Sequence, residues 1–498
     1  MALPYSIKVS RDLSLPDYIN ENAQVIISKL YHDELRLTWS IFLVGCILFI
    51  TNLDFTSTGD AIYYANIIDT LRFDQLTVHQ GYYLIGYLFA QLFTSIGGLP
   101  TDQALALMNA LFGAGALCIG YLLLKHYLES TRDALLGTII LLLCHRFFVN
   151  STSAEVYIVQ TFFIWSSYLL FERRSFYSAG IAIGIAMWVS PLTVAFGLVF
   201  PVVAWLRGYG IRALIKLSIP ALLIYLPFLF LFYEELFWGV RGLIEQDEQR
   251  DIDLALTAQD VFRYQIKHYS FLNLLFLPAL MELKREKQLL YISIAATIPN
   301  IYVISQLPGE DNVFILTLDI FIVCWYMIGW RYLRERSLAP LAIVILLAHV
   351  FVFLFSERPF IDDTHKNYAD EMVAIGHIVQ DSEESIIFMD WARRMAFVYY
   401  NRDEASYPIE QGHWYDISGD IADIIKYKKF GTDDFAGYET FYVLESYSAS
   451  PRASLFLSEQ SLRERYETMS EKRRIERFLN VKCRLIRPGL HKLYKCDS

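Results

Sequence analysis

The sequence predicts an all-α polytopic membrane protein of about eleven transmembrane helices, followed by a C-terminal extracytoplasmic α/β domain. Three observations predict it. Of 498 residues, 55% are hydrophobic, 15% aromatic and 19% charged, where a soluble domain carries about 25% charged residues. Apolar runs recur at close to the length that spans a bilayer. Short basic loops return after every second run, as they do where Lys and Arg resist translocation. The net charge of −10 argues against nucleic acid as a partner.

Residues 1–36 are polar and of mixed charge, with no cleavable signal peptide, and read as a cytoplasmic segment ahead of an uncleaved anchor at 37–53. Further apolar runs lie at 81–97, 104–124, 134–149, 156–171, 175–189, 192–206, 217–233, 271–281, 289–306, 313–330 and 338–355. Five basic loops separate them in pairs: Lys125 with Arg132, Arg173 with Arg174, Arg207 with Arg212 and Lys216, Lys284 with Arg285 and Lys287, and Arg331 with Arg334 and Arg336. All five fit on the cytoplasmic side if one of the first three runs does not cross. The run at 81–97, short and holding Gln91, Gly86 and several tyrosines, is assigned to the outer interface. The region 37–355 is then a transmembrane domain with the N-terminus cytoplasmic and the C-terminus outside.

The outer segments are acidic. Residues 54–103 carry five Asp against one Arg, and 234–270 carry eight acids against four basic residues. The tail, 356–498, turns polar. It holds β-type runs at 385–391 and 440–446, helical pattern at 457–480, and a hairpin at 481–496 with Pro488-Gly489 at its turn. Cys483 and Cys496 are placed to pair if that end is exported, whereas Cys46, Cys118, Cys144 and Cys324 lie in apolar runs and pack there.

Several polar residues stand out against this background. Ser57-Thr58-Gly59-Asp60 fits a helix-capping pattern, with Ala61, Tyr64, Ala65, Ile68 and Leu71 following at helical spacing. Asp60 therefore reads either as a backbone cap or as a carboxylate poised to accept a proton. His79 and Tyr82 lie in Val78-His79-Gln80-Gly81-Tyr82-Tyr83, a polar loop entering a tyrosine-rich run at a bilayer boundary. Arg146 lies near the outer end of one run and Glu155 starts the next; the pair reads as snorkelling span ends, or as an arginine that meets a lipid phosphate and a carboxylate that faces Asp60. Arg241, Arg263 and Lys267 are cations of the long outer loop suited to holding a phosphate. Asp319, near the centre of its run, is the main candidate for an alternative reading as a lipid-linked solute transporter or flippase, with His349 or Asn300 as its partner. No nucleotide-binding loop or metalloprotease pattern is present.

Three of these stretches together carry a resemblance. Ser57–Ala61, with Asp60 as its acid, precedes His79-Gln80-Gly81-Tyr82-Tyr83-Leu84, and Ala154-Glu155-Val156-Tyr157 opens a later span. Over roughly residues 37–206 the chain resembles the GT-C superfamily of membrane glycosyltransferases, and is most similar to its protein O-mannosyltransferase-like branch. It departs from that branch at Ser57, where an Asp leads the motif, and after His79, where paired prolines are missing. It departs again at Ser190-Pro191, where the branch has Asn-His, and at Asp311-Asn312, where it has Arg-Tyr. The resemblance implies transfer of a sugar from a polyprenyl-phosphate donor to a hydroxyl of a protein, lipid or glycan at the outer or lumenal face of a plasma (inner) or endoplasmic-reticulum membrane. The reaction would invert the anomeric carbon, with Asp60 as general base and Glu155 beside it. His79, Tyr82, Arg146, Tyr157, Arg241, Arg263 and Lys267 would bind donor or acceptor. No cofactor is required by the pattern; a divalent metal shared by Asp60 and Glu155 is left open.

Overall fold

The computed structural model describes residues 17–53, 60–71, 79–231, 262, 265–266, 268–306, 315–357, 369–380, 385–388, 397, 399–401, 429–430, 433–434, 440–446, 479–487 and 491–497. Its contacts gather into two compact units, one of 1–53, 74–89 and 106–350, the other of 54–73, 90–105 and 351–498.

Helices follow one another through the apolar runs: α1 (Asp17–Ile50), α2 (Asp60–Thr70), α3 (Gln80–Gly97), α4 (Thr101–Leu128), α5 (Thr131–Leu142), α6 (His145–Thr152), α7 (Val156–Glu172), α8 (Phe176–Val189), α9 (Val199–Arg207) and α10 (Ile211–Leu231). Then come α11 (Phe276–Leu280), α12 (Lys287–Gln306), α13 (Asp319–Glu335) and α14 (Ala339–Val352), with 3-10 segments of eight, six and four residues leading into α9, α11 and α13. Among the described residues, each apolar run of the sequence lies largely on helix. Among the described residues, three stretches are long and apolar enough to cross a bilayer by themselves: Thr101–Leu128, Ile211–Leu231 and Ile315–Glu335. Five further apolar helices are shorter.

Two boundaries differ from the sequence reading. α1 is continuous through residue 36, so the polar residues from Asp17 onward and most of the first apolar run form one helix. The run at 134–149 is broken, with α5 and α6 meeting at 66°. Cys144 is extended at the break (φ −74°, ψ 121°), and seven of the eight residues of α6 are buried, Arg146 among them. A straight continuation of α5 would be an ordinary span; the turn instead places a polar helix inside the protein.

Packing of α7, α8 and α10 depends on small residues. At Gly180 and Gly184 a Cβ would meet the carbonyl oxygens of Leu217 and Ala221 at 2.1 and 3.0 Å. The α8 and α10 backbones are therefore in direct contact, as small residues four apart allow in membrane helices. The interior is aromatic, with Trp165 and Tyr168 fully buried, and Trp165 Nε1 donates to the Thr317 carbonyl at 2.9 Å. The opposite faces carry exposed apolar side chains, such as Leu84, Leu88, Leu92 and Ile96 along α3 and Leu222, Leu223 and Phe230 along α10.

In the second unit, α15 (Ala369–Gln380) accompanies a four-stranded sheet ordered β1-β4-β6-β5. β1 (Ser385–Phe388) runs parallel to β4 (Thr440–Ser446). β6 (His491–Asp497) runs antiparallel to both β4 and β5 (Cys483–Arg487). A separate two-stranded ribbon pairs β2 (Lys429–Phe430) with β3 (Asp433–Asp434). Strands thus lie within each run where they were expected, at 385–388, 440–446, 483–487 and 491–496, with 481–482 helical and 389–391 outside the described residues, and Cys483 and Cys496 form a disulfide across the hairpin. Most of the helical pattern at 457–480 and the turn at Pro488-Gly489 lie outside the described residues. Within this unit the hydroxyls of Thr101 and Tyr399 donate to Asp69, and Tyr400 donates to Asp102 at 2.9 Å.

Candidate functional site

Asp60 is the first residue of α2, in which Ala61, Tyr64, Ala65 and Ile68 are buried as their spacing leads one to expect, whereas Leu71 lies past the helix end and is exposed. His79 and Gly81 start α3 in an arrangement dictated by backbone proximity. A Cβ on Gly81 would lie 2.6 Å from the carbonyl carbon of Trp188 and 2.7 Å from the Val189 nitrogen. His79 Nδ1 is 3.0 Å from the Val189 carbonyl; that contact needs Nδ1–H as donor. Burial pushes the imidazole down to about 4, against the smaller upward effect of the carbonyl, so His79 is neutral near pH 7. The His-x-Gly part of the motif thereby fastens the head of α3 to the end of α8.

Tyr82, fully buried, donates to Asn109 Oδ1 at 3.4 Å. The Asn109 amide in turn donates to the carbonyls of Ser153 (2.7 Å) and Glu155 (2.5 Å). This clamp fixes the extended turn that carries Glu155, the residue before α7 (φ −126°, ψ 145°). In Ala154-Glu155-Val156-Tyr157, Glu155 is half-buried while its three neighbours are buried.

Arg146 meets a partner that the sequence reading did not assign. Its Nε lies 3.1 and 3.0 Å from the two Asp319 oxygens, and its Nη2 lies 2.8 Å from Oδ1. Both side chains are buried, at 1% and 0% exposure, so the two charges neutralise each other away from solvent. Nη2 also donates to Gln265 Oε1 at 3.2 Å. From there the network runs through Tyr326, which accepts from the Gln265 amide (2.7 Å) and donates to Asn273 (2.8 Å). The guanidinium carbon sits 5.6 Å from the Tyr269 ring centroid. The expectation that His349 or Asn300 pairs with Asp319 is corrected: His349 Nδ1 faces the Ser270 hydroxyl at 3.0 Å, and Asn300 donates to the Ala296 carbonyl of its own helix. Asp319 is thus paired, but with Arg146. Arg146, read from sequence as a snorkelling span end or as a contact to a lipid phosphate, is buried against Asp319 and Gln265.

Arg241, Arg263 and Lys267 lie outside the described residues, as do Asp311 and Asn312. Tyr157 is buried in the first turn of α7. Among the described residues, no three or more His, Cys, Asp or Glu side chains are grouped to hold a metal ion.

No protein-family model and no curated protein sequence matches the chain. Solved structures do. ArnT from Cupriavidus metallidurans bound to undecaprenyl phosphate is similar over 94% of this chain and 98% of that one, with a TM-score of 0.53 and 11% identity. The apo state of the same protein gives 0.52 over the same shares. The apo form of the Archaeoglobus fulgidus oligosaccharyltransferase is similar over 82% of this chain and 69% of its own, with a TM-score of 0.50 and 12% identity. The fold is that of the GT-C membrane enzymes. Like those structures the chain is mostly helical, with three described helices long and apolar enough to cross a membrane and a small C-terminal sheet.

Within this GT-C fold, sequence reasoning passed over Asn109, Gln265, Asn273 and Tyr326. Asn109 carried a usable signal, since it stands alone as an amide in the apolar run 104–124. The other three have no local signature: their meaning lies in contacts across 61 residues (Gln265 to Tyr326) and 53 residues (Tyr326 to Asn273).

Proposed function

We propose that the protein is a GT-C glycosyltransferase that moves a sugar from a polyprenyl-phosphate donor to an acceptor hydroxyl at the outer or lumenal membrane face. The observation that carries this reading is the similarity over nearly the whole length of both chains to ArnT, described with undecaprenyl phosphate bound. The order of the three motifs favours the O-mannosyltransferase-like branch. The Cys483–Cys496 disulfide supports an outer position for the tail, because such bonds persist in oxidising compartments. The eleven-crossing topology, with a cytoplasmic N-terminus, puts the acidic segments on that same side.

In this mechanism the acceptor oxygen attacks the anomeric carbon while the bond from that carbon to the phosphate oxygen breaks, and the electron pair leaves with the lipid phosphate. Asp60 takes the acceptor's proton. The transition state has oxocarbenium character, as in glycoside chemistry generally. Glu155, on its clamped turn, orients the acceptor or the sugar hydroxyls. Cations of the outer loop, Arg241, Arg263 and Lys267, offset the charge developing on the phosphate. His79, Tyr82 and Tyr157 shape the wall. Arg146 acts through the Asp319 pair, as a positioning residue for Gln265 and the segment that follows the loop.

The test is Asp60→Asn, assayed for sugar transfer from a purified polyprenyl-phosphate donor. Loss of a positioned base costs about 10²–10⁴-fold in rate, with the protein still folded and monodisperse. Full activity in that variant removes Asp60 from the mechanism.

A further inference from the structure

Away from the motif residues, a groove of about 540 Å³ lies between α5 and α13, lined by Thr131, Arg132, Asp133, Leu135, Leu136, Ile139 and Trp330. Its volume is in the range of small-molecule sites, about 300–1,000 Å³. The residues that build it follow from helical geometry. Arg132, Leu135, Leu136 and Ile139 recur at intervals of three and four, so they share one face of α5. That face has a guanidinium at its N-terminal end and branched aliphatic side chains beyond it. Arg132 is exposed and Ile139 is 48% exposed, so the groove opens outward from the bundle. Trp330 forms part of the lining from α13, and indole rings are favoured at the headgroup level of a bilayer.

The polar end is cationic despite Asp133. That carboxylate, 1% exposed, is 3.0 Å from Arg334 Nη1 and 3.6 Å from Arg331 Nη2. Two arginines therefore oppose one carboxylate, and Arg132 adds a third positive charge at the rim. Ser130 caps α5 by accepting from the Asp133 backbone nitrogen, which fixes the helix start beneath Arg132. The shape and the charge match one kind of molecule: an amphiphile with an anionic head at the Arg132 end and an alkyl chain laid against Leu135, Leu136 and Ile139.

We propose that this groove holds one anionic diacyl phospholipid, drawn from the leaflet in which the basic loops lie, with its phosphate at Arg132 and an acyl chain between α5 and α13. The bilayer itself supplies the ligand, and the excess of arginine at the mouth selects anionic over zwitterionic heads, as basic pockets between membrane helices do. The bound lipid would brace α5 against α13 independently of sugar transfer.

The test uses the full-length protein in neutral detergent, titrated with phosphatidylglycerol or phosphatidylcholine and read by native mass spectrometry. One phosphatidylglycerol should be retained in preference to phosphatidylcholine. Arg132→Gln, at an exposed position, should weaken that retention about fivefold, the effect of one basic residue at a membrane surface. Leu136→Trp, which fills the groove, should remove the retained lipid whatever its head. Equal retention of the two lipids, or unchanged retention in Arg132→Gln, overturns the proposal. So does equal retention of inorganic phosphate, which would make the mouth a plain anion site, or preferential retention of undecaprenyl phosphate, which would make the groove a donor site.

Discussion

Replacing Asp319 by Asn tests the buried ion pair most directly. The amide is nearly the same shape, and its oxygen at Oδ1 would still accept from Nε (3.1 Å) and Nη2 (2.8 Å) of Arg146. At Oδ2, however, an NH2 group would face Nε across about 3.0 Å and oppose donor to donor. The guanidinium, 1% exposed, would also lose its counter-charge. Breaking a buried pair on one side costs about 3–5 kcal/mol, a large share of a total stability of about 5–15 kcal/mol. Arg146→Met alone should cost a similar amount. The double variant Arg146→Met with Asp319→Leu should lie much closer to wild type, because an apolar replacement of a buried pair is often neutral. Its residual loss, about 1–3 kcal/mol, comes from the Gln265 oxygen left without its donor. Thermal unfolding in detergent, followed by tryptophan fluorescence, measures all three. Wild-type stability in Asp319→Asn, or a double variant that loses the sum of the two single losses, would refute the pairing argument.

Gly81→Ala should detach the start of α3, since its methyl would overlap backbone of Trp188 and Val189 at 2.6–2.7 Å; a loss of about 1–3 kcal/mol is expected on the overpacking scale, read by unfolding and by proteolysis near residue 79. Asn109→Ala leaves the Ser153 and Glu155 carbonyls without their donor and should cost about 1–3 kcal/mol; Asn109→Asp should be worse, because a carboxylate would face two carbonyl oxygens. Glu172, almost fully buried, accepts from Tyr127, Arg207 and, at 3.5 Å, His126. Burial works to raise its pKa, but these partners outweigh it and hold it below the ordinary value of 4.5. A depressed folded pKa stabilises above the unfolded value and loses that stabilisation as pH falls through the folded one. The stability gap between wild type and Glu172→Gln should therefore be full near neutral pH and shrink progressively below about pH 4.

Periodicity made much of this fold legible. Among the described residues each apolar run is largely helical, Asp60 begins a helix, and the tail's strand runs pair in one sheet with its two cysteines bonded across the hairpin. The contacts that the sequence did not disclose join residues far apart along the chain. Arg146 and Asp319 are 173 positions apart, so no local pattern joins them. A coarser signal was available, since each is a charge embedded in an apolar run, and two opposite charges in a poorly solvating interior are cheapest together. The bend at Cys144 follows from the same demand: a straight helix satisfies hydropathy, but the polar side chains of His145–Thr152 need partners inside the protein.

Counting acids located a cluster in the sequence but not the division of labour within it. Asp69 and Asp102 serve as acceptors for Tyr399 and Tyr400, together with Thr101, and so have structural work within their own unit. Asp319 neutralises Arg146. Glu155 is set apart by its backbone. Its backbone carbonyl is gripped by Asn109, and its neighbours Ala154, Val156 and Tyr157 are packed away at 3%, 0% and 8% exposure. Its own side chain makes no cap to the helix it precedes and remains half-buried. A rigid backbone beneath an accessible carboxylate suits a group that must hold a substrate hydroxyl at fixed distance. Glu155→Gln should therefore depress transfer by more than any loss of stability accounts for, whereas Val156→Ala should lower stability and change transfer only in step with it.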